Sequence, residues 1–322
     1  MKGVLREGLI LLSENDLARR IAVGAPGART LARRFVAGET VEDGVAAARA
    51  LNRAGHTVSL DYVGEAVHSE ADAAAAADIY LRLIDRIRKE KLDANVSLKL
   101  TQLGQDIGDA FLRGNVGRVL DRAREVGMFV RFDMESSAYT QRTIDFFRTI
   151  WDEGYRDVGI VLQSALRRSA GDARMANELG ARVRLCKGAY QEPESVAYPE
   201  KWEVDKRFVE LMQTLLSDGA YPGIATHDEA MIAATRRYAA AHEIPKSAFE
   251  FQMLYGVRRD LQHELRGQGY NLRVYVPFGE AWYPYLMRRL AERPANLFFM
   301  VNAVLAELWA ARPRGNKTAN DE

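Results

Sequence analysis

The chain has 322 residues, is 48% hydrophobic, and sets 45 Lys and Arg against 44 Asp and Glu for a formal net charge of +1. That balance leaves no basic excess for a phosphate backbone, so no nucleic acid partner is expected. The single cysteine, Cys186, can form neither an internal disulfide nor a cysteine metal site, and it reads as a small buried residue of a protein in a reducing cytosol. The apolar run 8–12 is short and is approached through Arg6 and Glu7, which is not a signal-peptide layout. No stretch approaches the ~20 apolar residues of a membrane span.

In chain order, residues 1–54 read as a helical arm, with Thr40 and Asp43 spaced for a capping box. Eight β-rich runs follow at 58–62, 94–101, 128–134, 158–163, 182–187, 221–226, 249–253 and 272–276, separated by helical stretches. The Ala run 73–77, with Ser69 placed as its N-cap, is the first of those helices. Gly55, Gly127, Gly154, Gly180, Gly219 and Gly269 each fall where a helix must stop and a strand begin, the place for a left-handed cap. The alternation predicts an α/β fold with a parallel sheet, and eight units predict closure into a (βα)8 TIM-type barrel. The expected domains are the N-terminal helical arm 1–54, a barrel catalytic domain 55–311 that includes a C-terminal helix over 294–311, and a disordered polar tail 312–322.

Polar residues stand where apolar ones are expected. In 94–101, Val96, Leu98 and Leu100 share one face and Ser97, Lys99 and Thr101 the other, which a barrel turns inward. A buried ammonium needs an anionic partner, and Asp133, near the end of the next strand on one face with Phe129 and Arg131, is the candidate. Spacing alone leaves open whether this is a structural pair or part of a site. Gln163, Arg184 with Lys187, Thr226 with His227, Gln252 and Tyr275 also lie near strand ends, the rim on which barrel active sites are built. Taken alone, His227 reads more often as a hydrogen-bonded loop histidine than as a catalyst. Tyr285, Arg288, Arg289 and Glu292 share one helical face after the last strand, either a solvated face or a carboxylate clamp at the barrel mouth. The chain has no G-x-G-x-x-G after a strand, no Walker loop, no H-E-x-x-H and no G-x-S-x-G, and no metal site is expected.

The segments SLKLTQLG (97–104), FDMES (132–136), VLQS (161–164), RLCKGAY (184–190), ATHD (225–228), FEFQMLYG (249–256) and YVPFG with WYPYLMRRLAERPAN (275–296) are similar, in order and spacing, to those of bacterial monofunctional proline dehydrogenases. The resemblance spans 58–310 and implies a distorted (βα)8 barrel that holds FAD noncovalently and oxidises L-proline to Δ1-pyrroline-5-carboxylate, passing electrons to a membrane quinone. Carried over by position, it implies that Lys99, Arg288 and Arg289 hold the proline carboxylate and that Ala189, Leu254, Tyr275 and Tyr285 line the ring. It places Arg184 by the reactive nitrogen of the flavin. Asp133, Met134, Gln163, Lys187, Gly188, Ala189, Tyr190, Thr226, His227, Gln252, Arg289 and Glu292 would bind or orient the cofactor, with Asp133, Arg184, Lys99 and Tyr275 forming the catalytic set. Glu65 matches a gate that pairs with Arg288. Gln191 follows Tyr190 where some relatives carry an aromatic residue.

With no further domain expected after residue 310, a separate pyrroline-5-carboxylate dehydrogenase is the expected consumer of the product. The expected location is cytoplasmic, peripheral on the inner face of the plasma membrane. Two competing readings are a Schiff-base lyase with Lys99 as nucleophile and a noncatalytic amino-acid-binding barrel.

Overall fold

The computed structural model describes residues 32–64, 67, 69–283 and 285–287. They divide between two compact units, Phe35–Trp282 and a second drawn from the residues before and after it. The first unit is a closed, all-parallel barrel in the order β1-β2-β3-β4-β5-β6-β7-β8. Its strands are β1 (Thr57–Tyr62), β2 (Ala94–Leu98), β3 (Val130–Phe132), β4 (Val158–Gln163), β5 (Arg182–Cys186), β6 (Gly223–Ala225), β7 (Glu250–Leu254) and β8 (Asn271–Phe278). Helix α1 (Val41–Arg53) precedes them, and α2 (Glu70–Lys89), α3 (Asp109–Glu125), α4 (Ser137–Asp152), α5 (Ser169–Leu179), α6 (Lys201–Asp218), α7 (Glu229–Ala241) and α8 (Arg259–Gly267) follow β1 to β7 in turn. All eight expected strands are present, and no described helix is long and apolar enough to cross a membrane.

The local signals act as the residues suggest. Thr40 Oγ1 accepts from the Asp43 N–H at 3.1 Å while Asp43 returns a bond to the Thr40 N–H at 3.0 Å, a complete capping box on α1. Ser69 caps α2 through the Asp72 N–H at 3.1 Å. Of the six joint glycines, Gly55, Gly127, Gly154, Gly180 and Gly269 take positive φ as expected. Gly219 does not: it is extended at φ −90°, and glycine is needed there because a Cβ would lie 2.4 Å from the Leu215 carbonyl oxygen. The left-handed turn before β6 falls instead on Tyr221, at φ 46°.

Helix α1, grouped by its sequence with an N-terminal arm, packs within the barrel unit across the β1–β8 seam. A Cβ on Gly44 would sit 3.0 Å from the Phe278 ring, so the helix lies close on β8. The outer faces of the strands build the core against the helices: Val58, Leu60, Val96, Leu98, Val130, Phe132, Ile160, Leu185, Phe251 and Val274 are all buried. Burying such side chains contributes ~1.5–3 kcal/mol each. Strict alternation then commits their neighbours to the barrel interior.

Candidate active site

Asp61, Lys99, Arg131, Asp133, Arg184, Glu250 and Arg273 bring charged side chains together inside the barrel. Arg184 of β5 reaches Ser59 Oγ of β1 at 3.3 Å and Ser97 Oγ of β2 at 3.4 Å, strands it does not pair with, so these bonds cross the interior. Asp133, just past β3, is the hub. It accepts from Ser97 Oγ at 2.6 Å, Arg184 Nη1 at 2.7 Å and the Tyr275 hydroxyl at 2.7 Å. Lys99 Nζ is 3.8 Å from Asp133, but its close partner is Asp61 on β1, to which it donates at 2.6 Å. The expected Lys99–Asp133 pairing is therefore secondary.

Thr101 does not face inward either. The chain leaves the strand at Leu98, turns through the 3-10 segment Thr101–Leu103, and directs Thr101 Oγ1 to the Glu135 carboxylate at 2.8 and 2.9 Å.

Burial opposes the Asp133 charge, yet the Arg184 guanidinium and then the Lys99 ammonium hold its carboxyl below the usual range. For Asp61 burial wins, and its carboxyl is pushed up despite Lys99; its Oδ2 is buried without a hydrogen-bond partner. Lys99 stays charged, because the attraction of Asp61 and Asp133 outweighs its own desolvation. A borohydride-trappable Schiff base needs a neutral amine, and the two carboxylates disfavour one here.

A second tier lies on the rim. Gln163 Nε2 donates to the Glu135 carbonyl at 2.8 Å, beside the buried Met134, and leaves its Oε1 buried and unpartnered. Gly188 takes φ +109°, and a Cβ there would sit 3.0 Å from that oxygen, so only glycine leaves the approach open. Ala189 is half-buried and Tyr190 exposed. Lys187 donates to Asp205 and, at 2.7 Å, to Asp228. Thr226 Oγ1 accepts from the Asp228 N–H at 3.1 Å. His227 Nε2 accepts from the Leu254 N–H at 2.9 Å, so it is tied to β7 as a hydrogen-bonded loop histidine, with the proton of the neutral ring on Nδ1.

Asp61, Glu135, Asp205, Asp228, Glu250 and Arg273 were not singled out from the sequence. For Asp61, Glu250 and Arg273 the signal was available, since each alternates with an outward apolar residue on its strand. Glu65, Arg288, Arg289 and Glu292 lie outside the described residues, as do the 294–311 segment and the tail 312–322. Tyr285 is buried and belongs to the second unit.

Burial raises Asp205 and Asp228, but their bonds to Lys187, and for Asp205 also to Lys201, hold both below the ordinary Asp value of 3.8. A depressed carboxyl contributes stability that is complete above its unfolded-state value and lost as pH falls through the folded-state one. Thermal unfolding of Lys187→Met measured from pH 6 down to pH 2.5 should therefore show a flatter acid limb than the wild type. Parallel Tm-against-pH curves would remove this pairing as a source of acid sensitivity.

A closed parallel barrel that collects cations and carboxylates at the carboxyl ends of its strands defines a (βα)8-barrel enzyme. The proline dehydrogenase family model matches residues 45–302. The chain is 40% identical over 302 residues to proline dehydrogenase 1 of Bacillus subtilis (strain 168), covering 94% of this chain and 99% of that protein. It is 43% identical over 279 residues to a proline dehydrogenase of Deinococcus radiodurans, covering 85% and 90%. The crystal structure of proline utilization A (PutA) from Bdellovibrio bacteriovorus, inactivated by N-propargylglycine, superposes with a TM-score of 0.78 at 28% identity, over 85% of this chain and 33% of that one. The chain belongs to the proline dehydrogenase family. It is an oxidoreductase of proline catabolism, acting on proline.

Proposed function

We propose that this chain holds FAD without a covalent link at the carboxyl end of the barrel, oxidises L-proline to Δ1-pyrroline-5-carboxylate and passes the electrons to a membrane quinone. The observation that carries this reading is the buried Arg184 cation, clamped between Asp133 and Gln252 beneath a rim with a spare acceptor, Gln163 Oε1, and an open approach at Gly188. An unpaired buried acceptor fits a ring N–H, and a fixed guanidinium fits a ring that becomes more negative on reduction.

When bound, FAD supplies the acceptor for the hydride that leaves the ring carbon beside the proline nitrogen. Met134, Gln163, Lys187, Gly188, Ala189, Tyr190, Thr226, His227, Gln252, Arg289 and Glu292 hold it in place with Asp133 and Arg184. Arg288, Arg289 and Lys99 bind the proline carboxylate. Neutralising that carboxylate beside three cations makes the ammonium more acidic, which frees the nitrogen lone pair that must form the C=N bond. Tyr275, Tyr285, Leu254 and Ala189 bound the ring, and Glu65 pairs with Arg288 when no substrate is present. Asp133 keeps both Arg184 and the Tyr275 hydroxyl in place. The protein works in the cytoplasm, meets the quinone by weak peripheral attachment to the inner face of the plasma membrane, and leaves its product to a separate pyrroline-5-carboxylate dehydrogenase.

The purified chain should be yellow, release FAD on acid precipitation and bleach anaerobically with L-proline. A colourless protein that FAD cannot reconstitute overturns the reading. In stopped-flow reoxidation a short-chain quinone should outpace oxygen and NAD⁺, and faster oxidation by NAD⁺ would refute the quinone assignment.

A further inference from the structure

Gln252 lies between a cation and an anion and can satisfy both in only one orientation. Its Oε1 accepts from Arg184 Nε at 2.6 Å, and its Nε2 donates to Glu250 Oε1 at 2.6 Å. The flipped amide would set NH2 against guanidinium and carbonyl against carboxylate, replacing two attractive contacts with two repulsive ones. Glu250 is itself anchored: Arg273 Nε donates to the same Oε1 at 2.7 Å and Arg273 Nη2 to Oε2 at 3.1 Å. Space for the amide is built in on the adjoining strand, because a Cβ on Gly223 would lie 2.4 Å from Gln252 Nε2. Glu250 and Gln252 share the inward face of β7, which places Glu250 one layer deeper than the residues assigned to substrate and cofactor.

The geometry points to Glu250 as a positioning residue: from the layer beneath the site it fixes the Gln252 amide, whose oxygen fixes the Arg184 guanidinium in the orientation that meets Asp133. The relay is a property of the chain alone, and only its effect on turnover rests on the FAD reading.

The test uses the full-length protein, with and without added FAD, and reads hydrogen exchange of the Arg184 Nε–H and the Gln252 side-chain amide by NMR. Both should be protected in the wild type, since neither donor can exchange without opening the network. Glu250→Leu combined with Arg273→Met removes the acceptor together with its cation, so that neither member of that ion pair is left buried without the other. In that variant Arg184 Nε–H protection should fall at least ~10-fold, the loss expected for one hydrogen bond to a charged group. With FAD bound, kcat should fall about 10-fold while KM for proline changes less than about 2-fold, and the flavin absorption band should shift. Glu250→Gln can keep its oxygen toward Gln252 and should retain both protection and turnover.

A folded double variant with wild-type Arg184 protection overturns the proposal, as does lost protection with unchanged kcat. If the double variant does not fold, the wild type still decides: a Gln252 amide that exchanges as fast as an exposed glutamine overturns the relay. A wild type that never takes up FAD refutes the cofactor reading instead, while the exchange result stands.

Discussion

Asp133→Ala is expected to lower unfolding stability by about 3–5 kcal/mol, because it removes the acceptor from three donors and leaves the buried Arg184 cation without its carboxylate. The same change releases the Tyr275 hydroxyl and withdraws one of the two carboxylates near Lys99. Asp133→Asn should cost less in stability, since the amide oxygen still accepts, but should lose most of the activity because the charge that balances Arg184 is gone. Urea unfolding of both variants, beside the wild type, checks the order. A loss below about 1 kcal/mol for Asp133→Ala would mean that the interior relaxes and admits water, and that the hub is not fixed.

Arg288→Ala and Arg289→Ala carry the largest expected functional effect. A charged hydrogen bond contributes about 1.5–3 kcal/mol, so either substitution should reduce kcat/KM for proline by about 10- to 150-fold. Lys should substitute poorly at both positions, because it lacks the planar fork that grips two carboxylate oxygens. Steady-state kinetics over a wide proline range reads the effect. Unchanged KM in both Ala variants would remove these two arginines from the carboxylate site.

How much of this could be read from the residues alone follows the physics that acts locally. The eight strands were legible because helices cover their outer face, so that Val96 and Leu98, or Val130 and Phe132, recur with period two. The helix ends were legible at Thr40, Ser69 and five of the six glycines because caps act within a turn. Gly219 misled: its conformation is set by the approach of the Leu215 carbonyl and by the left-handed turn at Tyr221, neither of which leaves a mark at its own position.

That Ser97, Lys99, Asp133, Arg184, Gln252 and Tyr275 lie inward or at strand ends was legible in the residues, and how they pair was less so. An anion for Lys99 was required, but choosing Asp61 over Asp133 depends on the stagger of one strand against the next, a property of the closed barrel. Glu250 and Arg273 carried the alternation signal but were passed over, because their mutual pairing joins two strands and marks neither one's own sequence, and Gln252 gave no sign that its amide has a required orientation.

The seam between β1 and β8 bears on how the chain is made. β1 leaves the ribosome early and must wait for the last strand, since Ser59 pairs with Tyr275 and Leu60 with Val276. In a chain whose barrel is not yet closed, the side that becomes the interior carries Asp61, Lys99, Arg131, Asp133, Arg184 and Glu250. Those groups are content in water, so the unfinished protein exposes a hydrated surface there instead of an oily one, and is less inclined to aggregate while it waits. Closure then withdraws these charges from water together, with Lys99 set against Asp61 of the neighbouring strand and Glu250 meeting Arg273 as β8 arrives. A barrel lined with leucine would gain more from closing, and would be more exposed to misassociation before it did.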